Sequence, residues 1–244
     1  MSALLVFTLL CAWPQDTPEG WVSHTVILSP DLETVVFGRF HNEDGKSELV
    51  VHSGRGTNRI SQSLNHRSIM RAGAFTADGK LLAAGDYAGI TSIWTTNDWN
   101  RIAEPKTQKS WTTGIAFAPD SKTVATVGSD GTVVMADWEA NKELWRKESE
   151  AHATCVSFSP DGESLAVGYA SGRIEVLAIK DGTELGAFVA DSSFPMSLAY
   201  TANGRRVILG CWNSIVALRD AEHRELIVAT KQHSKRVRAT AVSS

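Results

Sequence analysis

The sequence predicts an all-β protein made of four-stranded antiparallel blades. Three observations predict it: one motif recurring at near-constant spacing, tight-turn residues between short apolar runs, and the lack of any long, capped stretch with a helical apolar period.

The motif is an apolar run that ends in a Pro/Asp/Gly turn. It reads VILSPDL, GAFTADG, IAFAPDS, VSFSPDG and LAYTANG, with third residues Leu28, Phe75, Phe117, Phe158 and Tyr200. The intervals are 47, 42, 41 and 42 residues, and a sixth copy at Thr240 to Ser244 puts Val242 a further 42 residues on. A period of about 40 to 45 residues is that of the four-stranded blades of a β-propeller and is longer than that of the shorter helical repeats.

Each unit reads as strands in order. A second run follows the Pro/Asp/Gly turn (KLLAAGD, KTVATVGS, ESLAVGY, RRVILGCW), then a tight turn, then a third run (ITSIW, TVVMADW, RIEVLAI, IVALRD). The tight turns carry Ala88-Gly89, Asp130-Gly131, Ser171-Gly172 and Asn213-Ser214, residue types that suit the positive φ of two-residue hairpin loops. A more polar fourth run, as in KELWRKES and TELGAFVA, leads into the next motif. The repeats start near 21, 66, 108, 149, 191 and 233, so the repeat domain is expected over 16–244.

From His66 to Asp220 the chain resembles the WD-repeat family, and VSFSPDGESLAVGYASG and IAFAPDSKTVATVGSDGTVVMADW lie close to that family's repeat. The resemblance implies a β-propeller and a hydrogen-bonded set of His, Ser or Thr, Asp and Trp in each blade. No repeat here holds the full set. The second has His66 and Trp94 but Ala84 and Ala88 at the hydroxyl and Asp positions; the third has Thr126 and Asp130 but Ala136 in place of Trp. In the fourth and fifth, Leu177 and Arg219 stand where Trp is expected. The family commonly closes with seven blades. About five blades and the first strand of a sixth therefore read as an incomplete ring, a piece of a seven-bladed or larger protein, with a smaller or irregular closed ring as the alternative.

Residues 1–15 carry a separate signal. Ala3 to Trp13 form an apolar run of 11 residues, too short to span a bilayer but matching the core of a secretory signal peptide. No Lys or Arg precedes it and no small-x-small cleavage pattern follows, so a buried strand of a preceding blade is the competing reading. The first reading makes the protein secreted or periplasmic; the second leaves it cytoplasmic.

Composition narrows the function. With 43% hydrophobic and 21% charged residues the chain can build a core, and a net charge of -3 gives no general attraction to phosphate backbones, so nucleic acid is not an expected partner. No transmembrane span is expected. Cys11, Cys155 and Cys211 have no CxxC spacing; the last two sit in apolar runs as small hydrophobes, with a disulfide between them left open.

Motifs of catalysis are lacking: there is no GxSxG, P-loop, HExxH or EF-hand loop, and no catalytic, cofactor or metal residue is assigned. The seven histidines are scattered and read mostly as surface or loop residues. Asp31, Asp78, Asp120 and Asp161 recur at repeat spacing as turn caps, and Lys231, Lys235, Arg236 and Arg238 read as a solvated basic loop.

What remains is surface. In the resembled family, partners commonly dock on the face made by the loop entering each first strand and the loop before the second hairpin turn. Mapped onto this sequence, that face holds His24, Arg71, Trp111, His152 and Phe194 beside the first strands and Tyr87 and Trp212 at the turns. Blade packing is the competing role for each. The function this predicts is a non-catalytic scaffold or sensor that binds a protein. The alternatives are a propeller hydrolase or lyase with a central-channel site, and a structural domain of a larger exported protein.

Overall fold

A computed structural model describes residues 21–54, 60–66, 68–105, 107–190 and 194–231. The signal-peptide reading of residues 1–15 and the sixth repeat copy lie outside the described residues, as do Lys235, Arg236 and Arg238. Twenty strands and no α-helix occur among the described residues, and no helix there is long and apolar enough to cross a membrane.

The strands form five antiparallel four-stranded meanders, each in chain order. Blade 1 is β1 (Trp21–Leu28), β2 (Thr34–His41), β3 (Ser47–Ser53) and β4 (Ile60–His66). Blade 2 is β5 (Met70–Phe75), β6 (Leu81–Asp86), β7 (Thr91–Thr95) and β8 (Arg101–Ala103). Blade 3 is β9 (Thr112–Phe117), β10 (Thr123–Gly128), β11 (Val133–Asp137) and β12 (Lys142–Lys147). Blade 4 is β13 (Ala153–Phe158), β14 (Ser164–Tyr169), β15 (Arg173–Ala178) and β16 (Glu184–Val189). Blade 5 is β17 (Pro195–Tyr200), β18 (Arg206–Cys211), β19 (Val216–Asp220) and β20 (Leu226–Thr230). The first strand of each blade packs on the first strand of the next, from β1 through β17, so the described blades stack as an open arc.

Burial follows from that stacking. Second strands such as LLAAGD, TVATVG and SLAVGY lie between neighbouring blades and are buried on both faces, which is why they read as continuous apolar runs. The core is four successive layers between blades: Leu49 and Leu82 meet in the first, Ile93 and Val124 in the second, Met135 and Leu165 in the third, Ile174 and Leu209 in the fourth. The fourth strands of blades 2 to 5 face solvent, and β20 is exposed throughout.

Turn chemistry fixes the two ends of each blade. At one end, Asp78 accepts from the Thr76 hydroxyl (2.7 Å) and the Lys80 amide (3.1 Å), and Asp31, Asp161 and Asn203 repeat the arrangement. At the other end, Gly131 has φ +79°, and a Cβ there would sit 2.0 Å from the Ser149 carbonyl oxygen. Its own carbonyl accepts the Ser149 amide at 3.1 Å. Glycine is thus needed both for the backbone angle and for the close approach of the chain entering blade 4. Ser214 takes the matching turn of blade 5 with φ +74°.

The polar set inside the blades differs from the sequence expectation in blade 2. Asp86, two residues before the expected Ala88, is fully buried and accepts the Ala88 (2.8 Å) and Ile90 (2.9 Å) amides. His66 is buried beside it rather than at the surface, with Nδ1 donating to the Ser68 carbonyl (2.8 Å), 3.9 Å from Asp86 Oδ2 and its ring stacked near Trp94. In blade 3 Gln108 takes the place of His66 and donates to the Thr126 hydroxyl at 2.9 Å. In blade 5 Arg219 fills the Trp position, lies over the Phe188 ring and donates to the Val189 carbonyl at 3.1 Å. Cys155 and Cys211 are buried free thiols, and burial pushes Cys155 up to about 12.

Candidate functional site

The end of the arc where first strands begin and second hairpins turn gathers the candidate residues. One backbone bond joins the two loops in each of blades 2 to 5: the turn amide donates to the carbonyl just before the first strand. The pairs are Tyr87 to Ile69 (3.1 Å), Ser129 to Trp111 (2.9 Å), Ala170 to His152 (2.8 Å) and Trp212 to Phe194 (3.1 Å). Two columns of side chains therefore run side by side around this rim. Ile69, Trp111, His152 and Phe194 form one, and Tyr87, Ser129, Ala170 and Trp212 the other.

Aromatic rings meet between these columns. Tyr87 of blade 2 lies 4.7 Å from Trp111 of blade 3, crossing the blade boundary, while Phe194 and Trp212 meet at 4.8 Å within blade 5. Trp111 is 45% exposed and Trp212 42%, so each keeps much of its ring in solvent although stacked. His152 lies between the two pairs, its Nδ1 against the Ser129 carbonyl. Blade 1 adds Trp21, which the sequence reading did not place on the face: its ring lies 5.0 Å from His41, under the Arg39 guanidinium. Its position at the start of β1 was the available signal.

Arg71 and His24 occupy a different register from Trp111. In every first strand the ladder skips one residue near its start: His24 between Ser23 and Thr25, Arg71 between Met70 and Ala72, then Thr113, Thr154 and Met196. Each is a β-bulge, which re-aims a side chain at the sheet's end. In blades 3 and 4 the bulge residue ties blades together. Thr113 Oγ1 is 3.1 Å from the Val127 carbonyl and 2.6 Å from the Ala153 carbonyl of the next blade; Thr154 Oγ1 repeats this with Gly168 (3.0 Å) and Pro195 (2.6 Å). Arg71 makes no such tie, and its guanidinium lies over the Tyr87 ring, 5.4 Å from the centroid.

Inside the arc, the inner strands line a cavity of about 220 Å³ near this rim, with Thr25, Gly73, Thr113, Thr154 and Ser197 among its walls. A second hollow of about 440 Å³ at the opposite end is lined by Phe75, Phe117, Pro119, Phe158 and Pro160. Neither lining holds a carboxylate or an imidazole. Among the described residues no group of three or more His, Cys, Asp or Glu side chains comes together as a metal site.

A stack of four-stranded meanders with short inner strands, tight Gly turns and ring-bearing loops at one rim defines a β-propeller of the repeat-built type. Residues 100–137 match the family model "WD domain, G-beta repeat", and residues 137–196 match "Anaphase-promoting complex subunit 4 WD40 domain". This chain carries WD-repeat sequence over residues 100–196. It is 28% identical over 166 residues to Protein groucho of Drosophila melanogaster, covering 65% of this chain and 22% of that protein. It is 23% identical over 176 residues to a p21-activated protein kinase-interacting protein 1-like of Danio rerio (72% and 47%), and 30% identical over 139 residues to Protein NEDD1 of Bos taurus (52% and 20%). The chain thus spans between about a fifth and a half of the length of these relatives.

Proposed function

We propose that this chain is a non-catalytic interaction module that binds a protein through the rim carrying Arg71, Tyr87, Trp111, His152, Phe194 and Trp212. The observation that carries the reading is the pair of ring stacks there, in which Trp111 and Trp212 keep 45% and 42% of their surface exposed. Large aromatic surface left in water has a cost that folding alone does not require, and Trp, Tyr and Arg are the usual anchors of protein interfaces. Relatives support it: one is named for interaction with p21-activated protein kinase, and a 77 kDa echinoderm microtubule-associated protein of Lytechinus variegatus is 31% identical over 101 residues. The apolar and hydroxyl-bearing cavity linings offer no acid-base pair for catalysis.

Trp111→Ala and Trp212→Ala test the reading, each followed by chemical denaturation and by quantitative binding to host proteins. A binding role predicts a loss of about 2 kcal/mol or more of partner affinity per anchor, with a smaller change in stability. Unchanged binding with the stability loss of about 3 to 5 kcal/mol typical of a buried Trp would show blade packing instead.

A further inference from the structure

Arg71 is out of step with its own column. The Thr113 and Thr154 hydroxyls bridge each blade to the next from the bulge, whereas the Arg71 carbonyl accepts the Thr25 hydroxyl of blade 1 (3.1 Å) but its guanidinium has no hydrogen-bond or ion-pair partner among the described residues, and its buried Nε is left unsatisfied. An unpaired donor in a partly buried place weakens a fold. Two other cations are neutralised: Arg39 pairs with Glu48, and Lys109 with Glu148 at 2.9 Å. Arg71 instead lies over the Tyr87 ring while Trp111 of the neighbouring blade packs against that ring at a tilt of 49°. The aromatic contact limits the guanidinium's freedom without engaging its N–H donors, so the donors are preorganised for an acceptor from outside. Blade 5 differs: the residue at its bulge is Met196, and its ring pair is Phe194 with Trp212.

We infer that the Arg71, Tyr87 and Trp111 stack receives an acidic side chain of a protein partner, an Asp or Glu with an apolar neighbour. The carboxylate takes the guanidinium donors and the neighbour packs on the exposed part of Trp111. The inference rests on the binding-face reading above and adds the chemistry of the partner segment. A charge-assisted, planar fork of donors matches a carboxylate, while the indole supplies the apolar contact.

The test is an array of short peptides, acetylated and amidated so that no terminal charge competes, in which a central Glu, Asp, Gln, Lys or phosphoserine is flanked by Leu, Phe or Trp. The full chain is probed as wild type, Arg71→Thr, Arg71→Lys and Trp111→Ala, and the peptides selected are titrated by fluorescence. Arg71→Thr installs the hydroxyl that bridges blades 3 and 4, so it should fold at least as stably as wild type. It should lose the Glu and Asp preference, with affinity falling about tenfold or more, and Arg71→Lys should fall in between. Equal binding of Glu and Gln peptides, stronger selection of phosphoserine, an array that selects nothing, or a markedly destabilised Arg71→Thr would each overturn the inference. Selection of neutral peptides that Trp111→Ala abolishes would overturn the acidic partner while leaving the binding face standing.

Discussion

The hydroxyl of Thr113 lies 2.6 Å from the carbonyl oxygen of Ala153, in the next blade, and Thr154 stands in the same relation to Pro195. These bonds join blades at the inner strands, where no strand ladder crosses from one blade to another. Thr113→Val preserves shape while leaving the carbonyl of Ala153 without this donor, so it should destabilise the chain by about 1 to 2 kcal/mol in urea denaturation. Arg71→Thr should move stability the opposite way. Equal midpoints for Thr113→Val and wild type would show that the bridge contributes nothing.

Gly131 offers a steeper test of the turns. At φ +79°, with a Cβ 2.0 Å from the Ser149 carbonyl oxygen, Gly131→Ala adds backbone strain to a clash with main chain that cannot rotate away. A cost above about 2 kcal/mol is expected, beyond the strain of the angle alone. Gly45 is the control, since it has φ +69° and nothing within 4 Å of an added Cβ. Gly45→Ala should therefore show only the conformational part, about 1 kcal/mol.

The spacing of the repeats was legible because stacked blades bury their second strands on both faces, writing LLAAGD, TVATVG and SLAVGY as apolar runs between turn residues. The bulge column was not. Of its members His24, Arg71, Thr113, Thr154 and Met196 only the two threonines share a chemistry, and a bulge breaks the very alternation by which a strand is recognised. Asp86 escaped for a related reason: the equivalent positions hold Gly128 and Tyr169, so nothing at repeat spacing marked it. The rim was readable as a set of aromatic residues, but the partner of each ring was not. Tyr87 stacks across a blade boundary and Phe194 within its own blade.

His66 gives the chain a pH dependence. Burial of the imidazole holds its pKa below the ordinary 6.5, outweighing the Asp86 carboxylate nearby. The unfolded chain therefore binds a proton that the folded chain refuses. The stability associated with neutral His66 is fully present above about pH 6.5 and declines as pH falls toward the lowered folded value, by at most about 1.4 kcal/mol per unit. Gln108 is the natural substitute at this position in blade 3, so His66→Gln should remove this part of the slope. Parallel urea titrations from about pH 7.5 to 5.5 check it, and identical slopes for the two chains would refute the assignment.

Asp86 and Ala88 make the last prediction. The Asp86 carboxylate accepts the amides of Ala88 and Ile90 and so closes the β6–β7 turn from the end of the strand. Blade 3 closes the same turn from two residues later, where Asp130 accepts the Thr132 amide at 3.1 Å and Gly128 stands in the strand. Asp86→Gly copies the glycine without the acid and strips both amides of their acceptor, so a loss of about 2 to 3 kcal/mol is expected. Adding Ala88→Asp supplies a carboxylate at the place it occupies in blade 3. The double variant should recover part of that loss by restoring the bond to the Ile90 amide, although His66 no longer has its buried neighbour. A double-mutant cycle in urea measures the recovery. Strict additivity would mean that the two positions do not serve the same turn, whereas a favourable coupling of about 1 kcal/mol or more would show that blade 2 solves the turn of blade 3 with its acid displaced by two residues.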